Sequence, residues 1–394
     1  MKNYSLLSAG LGILLVLTTF DAVVVPGVRL SIADLSLLLG ILIAGFHGET
    51  LRRLGLFFGA VVPLVLVVNA AIFFVYLAWS DGAVQDFTRL ISGFVRPILF
   101  VTLAILFYGI LDSQKVTSED IGVAIKYAGI LLSFIVILQY AGVAPPMFHN
   151  NPSFGESGRF TVFSEGWRPT GLTNEASFVG IFLFLIFISS IFYRKAGGTG
   201  GVWRENIPSG IIFCGCLAST SRIALLLAVI FVFLRKPTFG RIFLLGLAVP
   251  IVFAFVDLSR FQNMLVFDGD ASTIERYGSL FAYTNTLLDP ANFFGTGYLN
   301  SVELVNNYAD PMVMKVLGDR KLPAFSLPLQ LLVELGPLVF MLLFLFLFLK
   351  YKRYMLDVRI IAVIVASALT GIQNFLFIYV FISLVIYERN SRSS

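Results

Sequence analysis

Charged residues are scarce in this sequence. Only 13% of its 394 residues are Asp, Glu, Lys or Arg, whereas roughly a quarter of the residues of a soluble domain are charged. This scarcity excludes a large soluble domain. The net charge of +5 is spread over short loops rather than gathered in one patch, so nucleic acid is not an expected partner.

Cysteine and histidine are also rare. Cys214 and Cys216 are the only cysteines and lie in one apolar run, so the sequence predicts no disulfide framework. His47 and His149 lie in different loops, and neither has a second histidine nearby. The Asp268–Asp270 stretch matches an Asp-x-Asp pattern that binds divalent ions, but the pattern is short and its loop is polar in any case. We therefore expect no metal and no cofactor.

Apolar residues, in contrast, are abundant, at 58% of the chain with 40 Phe. A membrane-spanning helix needs about 20 mainly apolar residues, and such runs recur from end to end. We therefore predict an all-α integral membrane protein, with residues 1–394 forming a single polytopic domain of about twelve transmembrane helices. The predicted helices fall near 5–25, 30–46, 54–79, 91–111, 120–142, 174–193, 207–219, 222–234, 240–257, 326–349, 360–372 and 374–387.

Two polar interruptions decide this helix count. Ala218–Arg222 (ASTSR) and Thr370–Asn374 (TGIQN) each split an apolar block, because a polar knot inside a membrane is tolerated only where it faces protein or a wet cavity. With both splits, the Lys and Arg residues of the short loops fall on one side of the membrane, which is predicted to be the cytoplasm. Both termini are then cytoplasmic. Two long loops, near 143–173 and 258–325, face outward and hold most of the unusual polar residues, so function is sought there.

Three arginines occur at helix boundaries on this outer face: Arg168, Arg222 and Arg276. A guanidinium binds phosphate oxygens bidentately and stays charged, so a pocket with all three suits a diphosphate at headgroup depth. Simpler roles are snorkelling to lipid headgroups for Arg222 and a surface position for Arg276. Asn174 is the predicted cap that leaves Glu175 in the first turn of the next helix. There Glu175 could stabilise the helix dipole, offset an arginine or act as a base.

Aromatic side chains accompany these arginines. Trp167, Tyr277 and Tyr298 are candidate sugar-binding residues, because aromatic faces at a wet membrane surface suit sugar stacking. An interfacial aromatic belt is the alternative explanation. In the second outer loop the stretch up to Leu288 has helical spacing and places Tyr277, Leu280, Phe281 and Thr284 on one side.

These segments resemble, in order, those of bacterial O-antigen polymerases. RPTGLTNEAS (residues 168–177) resembles their Arg-x-x-Gly…Glu-Pro-Ser segment, except that Ala176 stands where proline is usual. STSR resembles their Ser-x-Ser-Arg turn, and ERYGSL…DPANFFGTGY resembles the segment of their large periplasmic loop that contains an arginine and a Gly-x-Gly turn. LQLLVELGPLVFMLL resembles the helix after that loop in the wider polymerase and ligase superfamily. The similar region runs from about residue 160 to 349.

The resemblance implies a metal-independent transferase of GT-C-like architecture in the bacterial inner membrane, with its site facing the periplasm. A growing glycan would move from undecaprenyl diphosphate onto a lipid-linked oligosaccharide repeat, in O-antigen, capsule or exopolysaccharide synthesis. Arg168 would hold the leaving diphosphate, with Arg222 and Arg276 as further ligands. Glu175 would orient or deprotonate the acceptor hydroxyl. The implied partners are the lipid-linked oligosaccharide and membrane lipid, with a chain-length regulator protein as an additional candidate.

Two alternatives compete with a polymerase. An O-antigen ligase, which transfers finished glycan to lipid A core, would carry a histidine just before the LQ…E-x-G helix. The stretch KLPAFSLPLQLLVELG has none. A flippase for the same lipid would need a central charged cavity and two repeated halves, whereas the intramembrane charges collect toward one face and no halves are visible. The sequence therefore favours a polymerase.

Overall fold

The computed structural model describes most of the helical segments of the chain. Every regular element in the described ranges is helical and none is a strand, which confirms the all-α prediction. The helices predicted at 30–46 and 240–257 lie outside these ranges. The ranges are residues 6–19, 48–79, 87–143, 169, 171–173, 176–192, 202–219, 221–234, 271–297, 301, 305–311, 313–314, 326–370 and 376–391.

Several consecutive helices of the described ranges are joined by only a few residues, as between Ser113 and Ser118 and between Ala218 and Arg222. The helices Gly48–Leu56 and Val62–Trp79 are joined by the π-helical turn Phe57–Val61 and form one rod. The 3-10 turns Pro290–Asn292 and Val305–Tyr308 follow the helix Ala271–Leu288. The α-helices are α1 Leu6–Leu17, α2 Gly48–Leu56, α3 Val62–Trp79, α4 Phe87–Ser113, α5 Ser118–Tyr140, α6 Ala176–Phe192, α7 Val202–Ala218, α8 Arg222–Leu234, α9 Ala271–Leu288, α10 Leu327–Met355, α11 Val358–Leu369 and α12 Leu376–Ser391.

Several of these helices suit a membrane. Among the described residues, three helical stretches are long and apolar enough to span one, namely Gly48–Val75, Ser118–Tyr140 and Leu327–Met355. Five further apolar helices are shorter, at 10–17 residues. The membrane character expected from composition is therefore borne out by helix length as well as by hydropathy.

Both predicted helix interruptions are confirmed. Helix α7 ends at Ala218 and α8 begins at Arg222, while α11 ends at Leu369 and Thr370 leaves the helix with extended backbone. One predicted boundary is wrong, because the first helix ends at Leu17 rather than near residue 25. The hydroxyls of Thr18 and Thr19 each donate to a carbonyl three residues back, and such local bonds compete with continuation of a helix.

The chain forms two compact units. Unit one comprises residues 1–50, 103–256 and 375–394, and unit two comprises 51–102 and 257–374. Helix α6 lies at the centre of unit one, with its residues from Val179 to Ile188 all buried. A helix that is apolar on every side needs protein or lipid on every side, and here it is surrounded by protein.

Aromatic contacts show how the neighbours of α6 are arranged. The Phe182 and Phe377 rings, from α6 and α12, lie 4.5 Å apart. Phe184 contacts Phe231 of α8 with ring centroids 5.4 Å apart, and Phe187 is at the same distance from Phe213 of α7. Aromatic pairs at such distances are worth about 0.5–1.5 kcal/mol each beyond their burial.

Unit two is built around the contact between α9 and α10. Its core consists of Ala282, Tyr283, Val305, Val313 and Val333. The core therefore joins one face of α9 to the first turns of α10 and to the short segments between them.

Two glycine-containing turns cross at this contact. Gly295 and Gly336 both have positive φ, at 90° and 75°, which favours glycine because it lacks a Cβ. A Cβ built on Gly295 would lie 2.5 Å from the Glu334 carbonyl oxygen, and one on Gly336 would lie 2.6 Å from the Phe293 carbonyl oxygen. The two backbones can therefore approach this closely only because both residues are glycine.

The crossing divides α10, which sequence analysis treats as one helix over 326–349. Gly336 has non-helical backbone angles, and Pro337 follows it, so 327–335 and 337–350 are separate helical runs. Tyr351 is a second non-helical residue, near the end of α10. The first run buries Gln330, Val333 and Glu334. The second exposes Leu338, Met341, Leu342, Leu345 and Leu349, an apolar surface suited to lipid.

The crossing makes a prediction for Gly295→Ala. Its Cβ would meet backbone atoms that cannot rotate away, and we expect a loss of roughly 2–4 kcal/mol from left-handed strain and overpacking together. Gly142→Ala is the matched control, because Gly142 also has positive φ, at 72°, but a Cβ there meets nothing within 4 Å. It should lose only about 1–2 kcal/mol from strain. Equal drops in the unfolding temperature of the two purified variants would contradict the crossing.

Candidate functional site

The predicted site residues fall into two groups. Arg222 is the first residue of α8, Arg276 lies in the first half of α9, and the Tyr277 side chain follows it. The others lie outside the described residues: Trp167, Arg168, Glu175 and Tyr298.

The segment between Arg168 and Glu175 is held by a buried glutamine. The Gln139 side chain, near the end of α5, accepts a hydrogen bond from the Gly171 N–H at 2.7 Å and donates to the Gly171 carbonyl at 3.1 Å. Gly171 has positive φ, at 60°. A side-chain amide thus replaces the backbone partners that a turn in an apolar bundle would otherwise lack.

The same segment packs on the first turns of α6. A Cβ built on Gly171 would lie 2.6 Å from Val179 Cγ2, so the turn rests directly on that side chain. Leu172 and Thr173 are buried as well. The three described residues 171–173 therefore form a fixed element rather than a solvent-exposed loop.

A second polar segment, the α7–α8 turn at Ser219–Arg222, packs on the next residue of α6. A Cβ built on Gly180 would lie 2.4 Å from Ser221 Cβ and 2.8 Å from Ser219 Oγ. Both serines are buried. Gly180 is thus the position on α6 that admits the turn.

The two serines also complete the helix ends at this turn. Ser219 Oγ donates to the Cys216 carbonyl at 2.7 Å at the end of α7. Ser221 Oγ accepts from the Ala224 N–H at 3.4 Å, the geometry of a long N-cap at the start of α8. Serine is among the preferred N-cap residues, which gives a physical reason for α8 to start at Arg222.

These contacts place two segments that adjoin predicted arginines at the same level of α6, on faces turned by about 100° from each other. Gly171 and Ser221 rest on neighbouring residues of α6, Val179 and Gly180. Arg168 precedes Gly171 by three residues, and Arg222 directly follows Ser221.

Helices α6 and α8 both begin near this level of the bundle. Helix α6 starts four residues before Gly180, about 6 Å along its axis. The Phe184–Phe231 contact lies farther along both α6 and α8, so the two helices begin at the same end and run in the same direction. Helix N-termini attract anions through their dipoles and their free N–H groups. Two helix N-termini near the segments that adjoin Arg168 and Arg222 suit an anionic group.

In unit two the predicted face of α9 is exposed. Tyr277 is 46% exposed and stacks on Phe281 with ring centroids 6.3 Å apart, and Leu280 is exposed on the same side. The predicted segment boundaries are confirmed, because α9 ends at Leu288 just before Asp289-Pro290. The aromatic pair is therefore open to a ligand, as sugar stacking would require.

Sequence analysis misses three residues of these arrangements. Gln139 and Gly180 become important only through their contacts with distant segments, and neither spacing nor composition marks them. Glu334 could have been identified from the sequence, because it is the single acidic residue in the apolar helix α10. Ionisable residues within membrane helices are expensive and usually functional.

Metal ligands do not cluster in the described part of the chain, where no group of three or more His, Cys, Asp or Glu is placed to hold an ion. Asp268, Asp270, His47 and His149 all lie outside the described residues.

Comparison with known proteins adds no assignment. No family model matches the chain, and no curated protein matches it either.

The packing on α6 makes a prediction for Gly180→Ala. The new methyl group would push the α7–α8 turn aside, and we expect a loss of roughly 1–3 kcal/mol from overpacking. Gly210→Ala is the control, since Gly210 is exposed in α7 and a Cβ there meets nothing within 4 Å. It should gain up to about 1 kcal/mol from helix propensity. Adding Ser221→Gly should restore much of the stability of Gly180→Ala. Thermal unfolding in detergent that leaves Gly180→Ala at or above wild type would contradict the contact.

Proposed function

We propose that this protein is a glycan polymerase of the membrane. It transfers a growing glycan from a polyprenyl diphosphate carrier onto a lipid-linked oligosaccharide repeat on the outer leaflet. The proposal starts from the ordered resemblance to O-antigen polymerases over residues 160–349.

One structural observation carries the proposal furthest. The segment after Arg168 and the turn before Arg222 rest on adjacent residues of α6, beside the starts of α6 and α8. Arginine forks and helix N-termini both favour phosphate oxygens. The segments that adjoin these arginines lie at the same level of α6, near two helix starts, and this supports a site for a diphosphate, which is the leaving group of such a polymerase.

The chemistry follows from that leaving group. The acceptor hydroxyl oxygen attacks the anomeric carbon, the bond from that carbon to the diphosphate breaks, and a glycosidic bond forms. The acceptor loses its proton, and the carrier leaves as polyprenyl diphosphate. Negative charge develops on the leaving oxygen, so fixed cations stabilise this transition state without requiring a proton donor.

Each predicted residue then has a role. Arg168 holds the leaving diphosphate, with Arg222 as a second ligand and Arg276 assigned by the resemblance as a third. Glu175 orients or deprotonates the acceptor hydroxyl, because a neighbouring cation keeps a carboxylate ionised. For sugar stacking we assign Trp167, Tyr277 and Tyr298.

The setting of the proposal is the bacterial inner membrane. The proposal includes about twelve membrane spans in a GT-C-like arrangement, with both termini in the cytoplasm. The three long apolar helical stretches and the distribution of Lys and Arg in short loops support this part. The carrier lipid and bilayer lipid are the partners, with a chain-length regulator as an additional candidate.

The arginines provide the first test. We expect Arg222→Ala, Arg168→Ala and Arg276→Ala each to abolish the ladder of glycan lengths while the protein stays in the membrane. Lysine should rescue poorly, because a point charge does not reproduce the planar fork. Arg353→Ala is the control, an exposed arginine at the end of α10 outside the proposed site, and should keep the ladder. Full activity of any of the three alanine variants would remove that arginine from the site.

The ladder of glycan lengths also distinguishes a polymerase from a ligase. A strain lacking the protein should carry glycans of a single repeat still attached to their final anchor, and Glu175→Gln should restore little of the ladder. Full-length polymer left on the lipid carrier in that strain would show that chain growth is intact and transfer is missing. That outcome would identify a ligase and contradict the proposal.

Orientation can be measured separately. We expect reporter fusions after Lys195 and after Arg353 to report the cytoplasm, and fusions near Asn151 and Asn307 to report the outer face, because the basic residues lie in the short loops. A cytoplasmic signal at Asn307 would place the substrate on the wrong leaflet and would overturn the proposed site.

A further inference from the structure

A buried carboxylate holds unit two together. Glu334 has 0% of its surface exposed, and its Oε1 accepts hydrogen bonds from Ser301 Oγ and from Gln330 Nε2, each at 2.8 Å. Both bonds go to Oε1, so they offset only part of the cost of burying an ionisable group. Because Glu334 is fully enclosed, any influence on a substrate must pass through its neighbours.

The next neighbour is Tyr283 in the middle of α9. Ser301 has one hydroxyl proton, which it donates to Glu334, so at its 3.4 Å contact with the Tyr283 hydroxyl it acts as the acceptor. Burial raises the pKa of the Tyr283 phenol, so its proton is retained. Each hydroxyl therefore donates to the next group: Tyr283 donates to Ser301, and Ser301 donates to Glu334.

The backbone of the same residue fixes the glycine turn. The Glu334 carbonyl accepts from the Gly297 N–H at 3.0 Å, and the Val333 carbonyl accepts from the Thr296 N–H at 3.1 Å. Glu334 thus connects α9, the Gly295–Gly297 turn and the break in α10. These backbone bonds do not depend on its side chain, so a change of the side chain acts through Ser301 and Gln330.

Helix geometry relates the position of Tyr283 on α9 to that of Arg276. Arg276 precedes Tyr283 by seven residues, so its backbone lies about 10 Å along the axis and within about 20° of the same line on α9. A bond that fixes the rotation of α9 at Tyr283 therefore also fixes the direction from which Arg276 leaves the helix. Tyr277, one residue later, is turned by about 100° from that line.

We infer that Glu334 is a positioning residue of the site: through Ser301 and Tyr283 its carboxylate fixes the rotation of α9, and this rotation places Arg276. The inference rests on the proposed function, in which Arg276 binds the diphosphate of the lipid carrier. Glu334 touches neither substrate nor carrier in this role.

Binding of a soluble prenyl diphosphate tests the inference without glycan synthesis. Farnesyl diphosphate is titrated calorimetrically into the purified full-length protein in detergent. Tyr283→Phe removes one hydroxyl, and Glu334→Gln replaces the carboxyl group by an amide. Each should raise the dissociation constant several-fold, and by less than Arg276→Ala does, because the arginine is displaced rather than removed. If Glu334→Gln does not accumulate, Tyr283→Phe alone decides.

The matched control is Tyr387→Phe. Tyr387 is a buried tyrosine of unit one whose hydroxyl donates to the Val116 carbonyl at 3.0 Å. Its loss should lower the unfolding temperature by an amount similar to that for Tyr283→Phe, because one buried hydrogen bond is removed in each case. It should leave the affinity for farnesyl diphosphate unchanged.

A double-variant comparison separates positioning from general damage. In an Arg276→Ala background, Tyr283→Phe and Glu334→Gln should weaken binding no further, because residues that act through one another are not additive. Additive losses, or wild-type affinity in Tyr283→Phe, would overturn the positioning role.

The same titrations distinguish failure of the inference from failure of the proposed function. If Arg276→Ala weakens binding and Tyr283→Phe does not, the diphosphate site stands and the role of Glu334 is refuted. If the wild-type protein does not bind farnesyl diphosphate, the proposed function fails, and the positioning role fails with it.

Discussion

Backbone groups that leave a helix inside an apolar bundle must find hydrogen-bond partners within the protein, because hydrocarbon supplies none. In the described part of the chain, the structure meets this constraint at three places. Gln139 satisfies both the N–H and the carbonyl of Gly171, while Ser219 and Ser221 complete the α7–α8 turn. At Gly336 the neighbouring carbonyls accept from the Gly295–Gly297 turn. Each partner is specific, so each interruption has a fixed position.

Fixed interruptions are useful at a reacting centre. A continuous apolar helix offers no backbone donors, whereas an interrupted one presents the N–H groups and positive dipole of a new helix start. The starts of α6 and α8 lie at one end of unit one, where the Gly171 turn rests on Val179 and the α7–α8 turn rests on Gly180. In the proposed mechanism, these helix starts would supply electrostatic stabilisation for a departing diphosphate.

Sequence patterns are informative where the physics is local. Long apolar runs predict the helices, and the polar ASTSR stretch predicts the break before Arg222, because both depend on neighbouring residues. The crossing of Gly295 with Gly336 cannot be obtained in this way. It depends on two segments about forty residues apart that approach only because each lacks a Cβ.

The site shows the same division. The helix start at Arg222 and the exposed face of α9 follow from residue type and period, whereas Arg276 lies in the second turn of α9 and not at its boundary. The packing of Gly171 and Ser221 on neighbouring residues of α6 is a tertiary fact. The role of Gln139 could not be predicted from the sequence, because a single amide at the end of an apolar helix can have many roles. Glu334 is the opposite case. A single acid in the apolar helix α10 is a signal in itself, although its link through Ser301 to Tyr283 depends on the fold.

The central claim is that chain growth proceeds with loss of polyprenyl diphosphate, and it is tested most directly with purified components. The purified protein is supplied with a polyprenyl-diphosphate-linked repeat, with no nucleotide sugar, and both products are quantified by mass spectrometry. We expect one free polyprenyl diphosphate for every glycosidic bond formed. Intact substrate after prolonged incubation, or longer glycans without release of the carrier, would contradict the account.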